Sequence, residues 1–233
     1  MLYSKADTHV HTSYSDDGIS SPEDIVEFIA GKLQVIAITD HDRLDGAYKA
    51  KEYALKNDFL EVDVIIGEEI STKNGHVIGL FLEKKIVRGM TAMDTIDAIH
   101  AQGGLAIAPH PYYLLSYAKK GYEPIRRHLK NLDFDAIEVI NNSSTFAVFS
   151  NAVTSLVNVS IGFPQVGASD AHTKEFVGKG YTQFQGKSAI DLKNQIIEKK
   201  ATAHFGHYSL LEFNLNLLQS VKSFYQYFSN RDN

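Results

Sequence analysis

Val35-Ile36-Ala37-Ile38-Thr39-Asp40-His41-Asp42 joins an unbroken apolar run to a cluster of side chains that carry charge or bind metal. The run lacks the in–out alternation of a half-solvated strand, so it predicts a strand covered on both faces, as parallel strands are. The pattern recurs along the chain. Residues 62–67 run into Glu68-Glu69-Ile70-Ser71, residues 105–108 into Pro109-His110-Pro111, residues 135–140 into Asn141-Asn142, and residues 165–169 into Asp170 and His172. Helices are predicted between these strands. One starts at Ser21 with Pro22 in its first turn, others run through Ala47 to Ala54 and Thr91 to Gln102, and another lies around residues 144–158. Asn74-Gly75 marks a tight turn into a strand beginning at His76. Some six or seven strand–helix alternations predict an α/β fold, a barrel whose C-terminal face gathers the polar clusters.

The first such cluster lies at the N-terminus. In Asp7-Thr8-His9-Val10-His11 two imidazoles one residue apart point to the same face of an extended segment. Ser15-Asp16-Asp17-Gly18 then turns a carboxylate back toward them. His-x-His is frequent by chance; what gives it weight here is the repetition of His, Asp and Glu at the ends of the other apolar runs.

Composition narrows the chemistry. The 233 residues are 44% hydrophobic and 22% charged with a net charge of −5, the profile of a globular protein without an overall basic surface for nucleic acid. There is no cysteine, so thiolate sites and disulfides are excluded, and any metal must sit among nitrogen and oxygen ligands such as suit Zn, Mn, Fe, Co or Mg. No long apolar stretch opens the chain or approaches the length of a membrane span, which predicts a cytoplasmic protein. With no repeat or linker-like break, one domain over residues 1–233 is expected, carrying a C-terminal helical extension at about 208–229. There Leu217, Val221, Phe224, Tyr225 and Phe228 recur at helical spacing. This helix is expected to pack across the barrel or to form a homodimer interface; membrane-surface binding is not favoured.

Taken together, His9-Val10-His11 with Asp16, Thr39-Asp40-His41-Asp42, Gly67-Glu68-Glu69-Ile70-Ser71, His76, Ala108-Pro109-His110-Pro111 and Ser169-Asp170-Ala171-His172 resemble the successive motifs of the PHP (polymerase and histidinol phosphatase) family. The resemblance implies a distorted (β/α)7 TIM-like barrel with two or three divalent ions (Zn, Mn or Fe) at its C-terminal face. It implies that His9, His11, Glu69 and Asp170 hold a first ion and that Glu69 bridges to a second held by His76 and His110. Asp16, His41 and His172 would take the third. Glu69 is preferred to Glu68 because it occupies the acidic position of the family's Gly-x-Glu pattern, and neighbouring strand residues face opposite ways. Asp16 is preferred to Asp17 because it lies five residues after His11.

The implied activity is hydrolysis of a phosphate ester, a small phosphomonoester or nucleotide-like substrate, by a metal-bridging hydroxide. Three ions bring roughly +6 against about −4 from Asp16, Glu69, Asp170 and the hydroxide, leaving a net charge that suits a phosphate dianion. Asp170 is the candidate proton acceptor. Asp40 and Asp42 either orient ligand imidazoles or stand as solvated acids capping the next helix. Arg43, Arg126 and Arg127 are candidate phosphate clamps, since guanidinium binds phosphate bidentately. Tyr112-Tyr113 stands where the family often has Arg, which argues against direct transfer of a histidinol phosphatase activity. Two alternatives stand beside this reading. One is a nuclease on oligonucleotide ends, using Lys119, Lys120, Arg126 and Arg127; the other is a non-catalytic binding protein stapled by metals.

Overall fold

The computed structural model describes residues 2–59, 61–113, 124–143, 147–209, 212 and 214–218. Strands β1 (Tyr3–Val10), β2 (Val35–Ile38) and β3 (Asp63–Thr72) lie side by side in parallel. Helices α1 (Pro22–Ile29) and α2 (Asp45–Lys56) form the two crossovers. The chain then departs from strict alternation: β3 and β4 (Gly75–Leu80) form an antiparallel hairpin, turning at Asn74-Gly75 as the dipeptide predicts. Beyond α3 (Ala92–His100), β5 (Leu105–Ala108) pairs antiparallel with β4, and β6 (Ala136–Asn141) and β7 (Gln165–Ala168) restore the parallel sense, with α4 (Ala147–Ile161) between them.

Seven strands thus form the wall, one of them reversed. The ring closes where residues after β7 meet the end of β1. Asp170 N donates to His9 O at 2.9 Å and His11 N to Ala171 O at 2.9 Å. Buried Asp7 accepts from Ser169 N at 3.0 Å and Gly178 N at 2.7 Å. Two further strands, β8 (Gly180–Gln185) and β9 (Thr202–Phe205), add an antiparallel extension to the outer edge of β1, with α5 (Ala189–Ile197) between them. The sequence pattern does not separate these strands. The structure puts His204 on β9, its ring stacked on Tyr181 at 5.3 Å.

The core follows the sequence pattern. Val35, Ile36, Ala37 and Ile38 are each 0% exposed, as a strand covered on both faces requires. Alternate residues serve two packed layers: Ile36 and Ile38 meet the helices, while Val35 and Ala37 fill the barrel with Ile65, Ile78, Ile107 and Phe184. α1 begins as predicted, with the Ser21 hydroxyl accepting from Asp24 N at 3.1 Å and Pro22 in the first turn. Among the described residues no helix is long and apolar enough to cross a membrane. Of the C-terminal helix expected at about 208–229, residues 208 and 209 are not helical, residues 212 and 214–218 are, and the remainder lies outside the described residues.

Candidate metal centre

Every ligand-bearing segment lies at the same mouth because the parallel strands of the wall end there and the reversed β4 begins there, with His76 its second residue. The backbone turns sharply as it leaves: Asp42, His110 and Asp170 have φ of 53°, 27° and 52°. Asp and His tolerate this left-handed region better than most residues, and the side chains of His110 and Asp170 join the cluster at the mouth.

Glu69 stands at the centre, its side chain 2% exposed. Its Oε2 lies 3.2 Å from His9 Nε2, 3.2 Å from His11 Nε2 and 3.3 Å from His41 Nδ1. Its Oε1 lies 2.9 Å from His76 Nδ1 and 3.3 Å from His110 Nε2. One carboxylate therefore faces five imidazoles, the arrangement a bridging ligand needs. Asp170 Oδ1 lies 3.3 Å from both His9 Nε2 and His11 Nε2, and its Oδ2 lies 3.8 Å from His110 Nε2. Glu68, next along β3, faces away and accepts from Ile86 N at 2.9 Å. The two acids divide as strand alternation requires.

The outermost group corrects one residue. Asp17, not Asp16, meets the histidines: its Oδ2 lies 3.0 Å from His172 Nε2 and 3.4 Å from His41 Nε2. Asp16 lines a neighbouring cavity instead. The segment is a chain of tight turns, Ser15 N donating to Thr12 O and Gly18 N to Ser15 O, so counting along it does not predict direction. Gly18 is required here, because a Cβ would stand 1.9 Å from Thr12 O.

The structure adds residues that the sequence reading passed over. Glu138, 1% exposed, binds His9 Nδ1 through Oε1 at 2.8 Å, and its Oε2 accepts from His110 N at 3.0 Å and from Asn141 Nδ2 at 3.0 Å. Asn141 Nδ2 reaches Asp170 Oδ2 as well, at 3.2 Å. Ser15 Oγ lies 3.2 Å from His11 Nδ1 and accepts from His41 N at 3.0 Å. The signal for Glu138 was present: an acid inside an apolar strand has no solvent and must find partners. Asp40 is neither an imidazole partner nor solvated. Buried, it accepts from Thr12 N at 2.6 Å and Thr12 Oγ1 at 2.7 Å, against Gly46, where a Cβ would lie 2.0 Å from its Oδ2. Asp42 likewise holds backbone, accepting from Ser71 N at 2.8 Å. Neither acid supplies a side-chain cap to α2.

Of the candidate phosphate clamps, Arg43 lines the cavity beside His41 and binds Asp45 Oδ2 at 2.9 Å and Tyr14 O at 2.9 Å. Arg126 and Arg127 lie on a short 3-10 turn, Ile125–Arg127, tied by Ile125 N to Asn74 O at 2.7 Å. Lys119 and Lys120 lie outside the described residues.

The electrostatics are those of concentrated opposite charge. Burial disfavours the charged form of His11, yet Asp170 and Glu69 outweigh it and push the imidazole up to about 9. His9 and His110 rise for the same reason, and His41 rises through Asp17 and Glu69. Burial works against ionised Glu69 and Asp170 too, but the surrounding imidazoles hold both well below the usual carboxylate range.

Divalent ions fit these groups better than hydrogen bonds alone. His9 Nε2 faces His11 Nε2 at 3.0 Å, a pair that hydrogen-bonds only if one carries a proton there. Glu69 Oε1 is buried without a hydrogen-bond partner although two imidazole nitrogens lie close to it. Ligands about 2.1 Å from a shared ion stand roughly 3.0–3.5 Å from one another, the spacing found throughout the mouth. Four sets have donor atoms mutually within 4.8 Å: His9–His11–Asp170, His9–Glu69–His110, His11–His41–Glu69 and His11–Asp17–His172.

Comparison with known proteins agrees with this geometry. An uncharacterized protein of Methanocaldococcus jannaschii is 39% identical over 148 residues, 59% of this chain and 81% of its own. A two-domain Bacteroides vulgatus protein, described as containing a predicted PHP-like metal-dependent phosphoesterase, superposes with a TM-score of 0.70 at 19% identity, over 88% of this chain and 65% of that one. A lesion-specific endonuclease of Pyrococcus furiosus superposes with a TM-score of 0.61 at 16% identity, over 84% of this chain and 56% of that one. The family model for the PHP domain matches residues 7–200, a span that includes every ligand-bearing strand end. The chain belongs to the PHP domain family.

Proposed function

We propose that this chain is a metal-dependent phosphoesterase acting on a small phosphomonoester or nucleotide-like substrate. The ions would be held by His9, His11, Asp17, His41, Glu69, His76, His110, Asp170 and His172. The carrying observation is the central carboxylate: Glu69 presents one oxygen to His9, His11 and His41 and the other to His76 and His110. Bound divalent ions supply positive charge for phosphoryl oxygens and lower the pKa of bound water.

The chain's own groups set up the rest. Glu138 at 2.8 Å fixes the proton of His9 on Nδ1 and leaves Nε2 free to ligate. Asp170 would accept the proton of an attacking water; in support, its Oδ2 is steadied by Asn141 at 3.2 Å while Oδ1 faces His9 and His11. Arg43, Arg126 and Arg127 remain the candidate clamps for phosphate oxygens.

The test is to load purified protein with Mn, Zn, Fe or Co, measure metal content and assay a broad panel of phosphate esters. Turnover that disappears on chelation is expected; no turnover with any ion, in an assay sensitive to slow rates, rejects the proposal. A nuclease on oligonucleotide ends is the second reading, supported by the likeness of fold to the Pyrococcus endonuclease. It requires short RNA to be cut faster than mononucleotides, with activity that falls steeply as salt rises. A metal-stapled binding protein would instead bind ions and hydrolyse nothing.

A further inference from the structure

Helix α4 carries its polarity the wrong way round for a surface helix. No charged residue occurs from Val139 to Ser169, in a chain that is 22% charged overall. Within α4, Ala147, Ser150, Asn151, Thr154 and Asn158 are buried, whereas Val148, Phe149, Val153, Leu156 and Val159 are 44–82% exposed. At 100° per residue these five form one stripe opposite the buried set, with Leu156 at its middle. A surface helix ordinarily turns such a stripe toward the core.

The inward face is polar because it holds backbone. Asn151 Oδ1 accepts from Asn141 N at 3.1 Å and Asn151 Nδ2 donates to Asn141 O at 2.8 Å, which fixes the residue that steadies Asp170. Asn158 does the same for Phe163, accepting from its N–H at 3.1 Å and donating to its carbonyl at 3.0 Å. These bonds position α4 but bury little apolar surface. Its Val, Thr, Asn and Ser are poor helix formers, and most of a helix's stability in a protein comes from burying an apolar face. The main apolar face of α4 points to solvent.

That face exposes on the order of 550 Å², the size of the largest patch on a typical monomer and the larger share of the roughly 800 Å² that one partner gives to a standard interface. Because it carries no charge, it can lie against an identical face across a two-fold axis without setting like charges opposite one another. Charge stands at the rim, where Lys199 Nζ donates to Gly162 O at 2.9 Å just beyond the helix. The competing occupant is the segment after residue 218, whose Val221, Phe224, Tyr225 and Phe228 lie outside the described residues. The described part of the C-terminal helix, however, leaves Leu215 and Leu218 exposed as well, so apolar surface accumulates on the molecule instead of being covered within it. We infer that the outer face of α4 is an interface between two copies of this chain, α4 packing on α4 with Leu156 near the axis.

Sedimentation of the full chain tests this. The wild type is expected at twice the mass of one chain at micromolar concentration, with a melting temperature that rises with protein concentration. Leu156→Glu and, independently, Val159→Glu set carboxylates against each other across the axis and should raise the dimer dissociation constant about 100-fold or more. Both positions are largely exposed, so circular dichroism should show the fold unchanged. Ile190→Glu, at an exposed apolar position on α5, should leave the mass as in the wild type. A wild type that sediments as one chain up to its solubility limit overturns the inference, as does a dimer that survives both glutamates. Since the chain has no cysteine, Leu156→Cys combined with Phe224→Cys probes the other occupant: no disulfide within one chain is expected, and its formation overturns the inference in favour of the C-terminal segment.

Discussion

The mouth of the barrel has two halves built from the same ligand types. The inner half, His9, His11, Glu69 and Asp170, is buried, and a further group steadies most of its members: Glu138 on His9, Ser15 on His11, Asn141 on Asp170. In the outer half, Asp17, His41, His76 and His172, side chains are 27–44% exposed, and His172 Nδ1 meets only the carbonyl of Asp170 at 3.0 Å. The comparison separates ligand identity from ligand readiness. The fold has already fixed the inner rotamers, so an ion entering there orders little; in the outer half binding must restrain side chains that water and thermal motion otherwise move. The inner positions should therefore hold ions tightly and the outer position should exchange.

The strongest attempt to break this contrast is Glu69→Gln, which removes the one carboxylate shared by both halves. Metal content should fall at more than one position and hydrolysis by about 10³-fold or more, several kcal/mol of transition-state stabilisation; unchanged metal content would refute the bridging role. Next is Glu138→Gln. Its amide cannot accept from His9, His110 and Asn141 together, so inner-site affinity, measured by competitive chelation, should drop about 10–100-fold.

A smaller effect sharpens the outer half. Asp17→Asn should release the weakest ion and leave the others, whereas Asp16→Asn should leave metal stoichiometry as it was; the reverse outcome would restore the choice made from residue counting. The smallest effect is in pH. In metal-free protein His11 sits at about 9 against an ordinary 6.5, so its stabilisation is complete below about 6.5 and is lost as pH climbs through 9. Glu69 and Asp170, held low, contribute above the usual carboxylate range and lose their contribution as pH falls. The metal-free melting temperature should thus decline from about pH 6.5 to 9. With metal the midpoint should rise over the same span, because ligation needs deprotonated imidazoles.

The contrast also shows which parts of the molecule the chain reveals. Strands such as Val35–Ile38 are legible because burial on both faces leaves no polar position, and ligands at their ends inherit a fixed direction. Alternation shows that only one of Glu68 and Glu69 can serve, and the choice of Glu69 came from the resemblance to the family's Gly-x-Glu pattern. Asp17 over Asp16 follows from neither, since tight turns at residues 12–18 erase periodicity. The reversal at β4 was half-visible: Asn74-Gly75 announced a hairpin, but its incorporation into the wall depends on pairing with β5. β8 and β9 escaped notice because Gly180–Gln185 and Thr202–Phe205 are short and mixed in polarity, β8 gaining its order from the edge of β1 and β9 from β8.

Closure of the ring between the end of β1 and residues 169–171 has a consequence for how the chain comes to be made. The histidines leave the ribosome about 160 residues before the backbone that completes their surroundings. Until then the nascent chain carries an open sheet edge and two unguarded imidazoles, and so long-range a joint closes slowly. Capture of metal is thereby deferred until residues 169–171 have emerged, and a chain stalled before Ser169 should carry neither a finished wall nor a place for the ion.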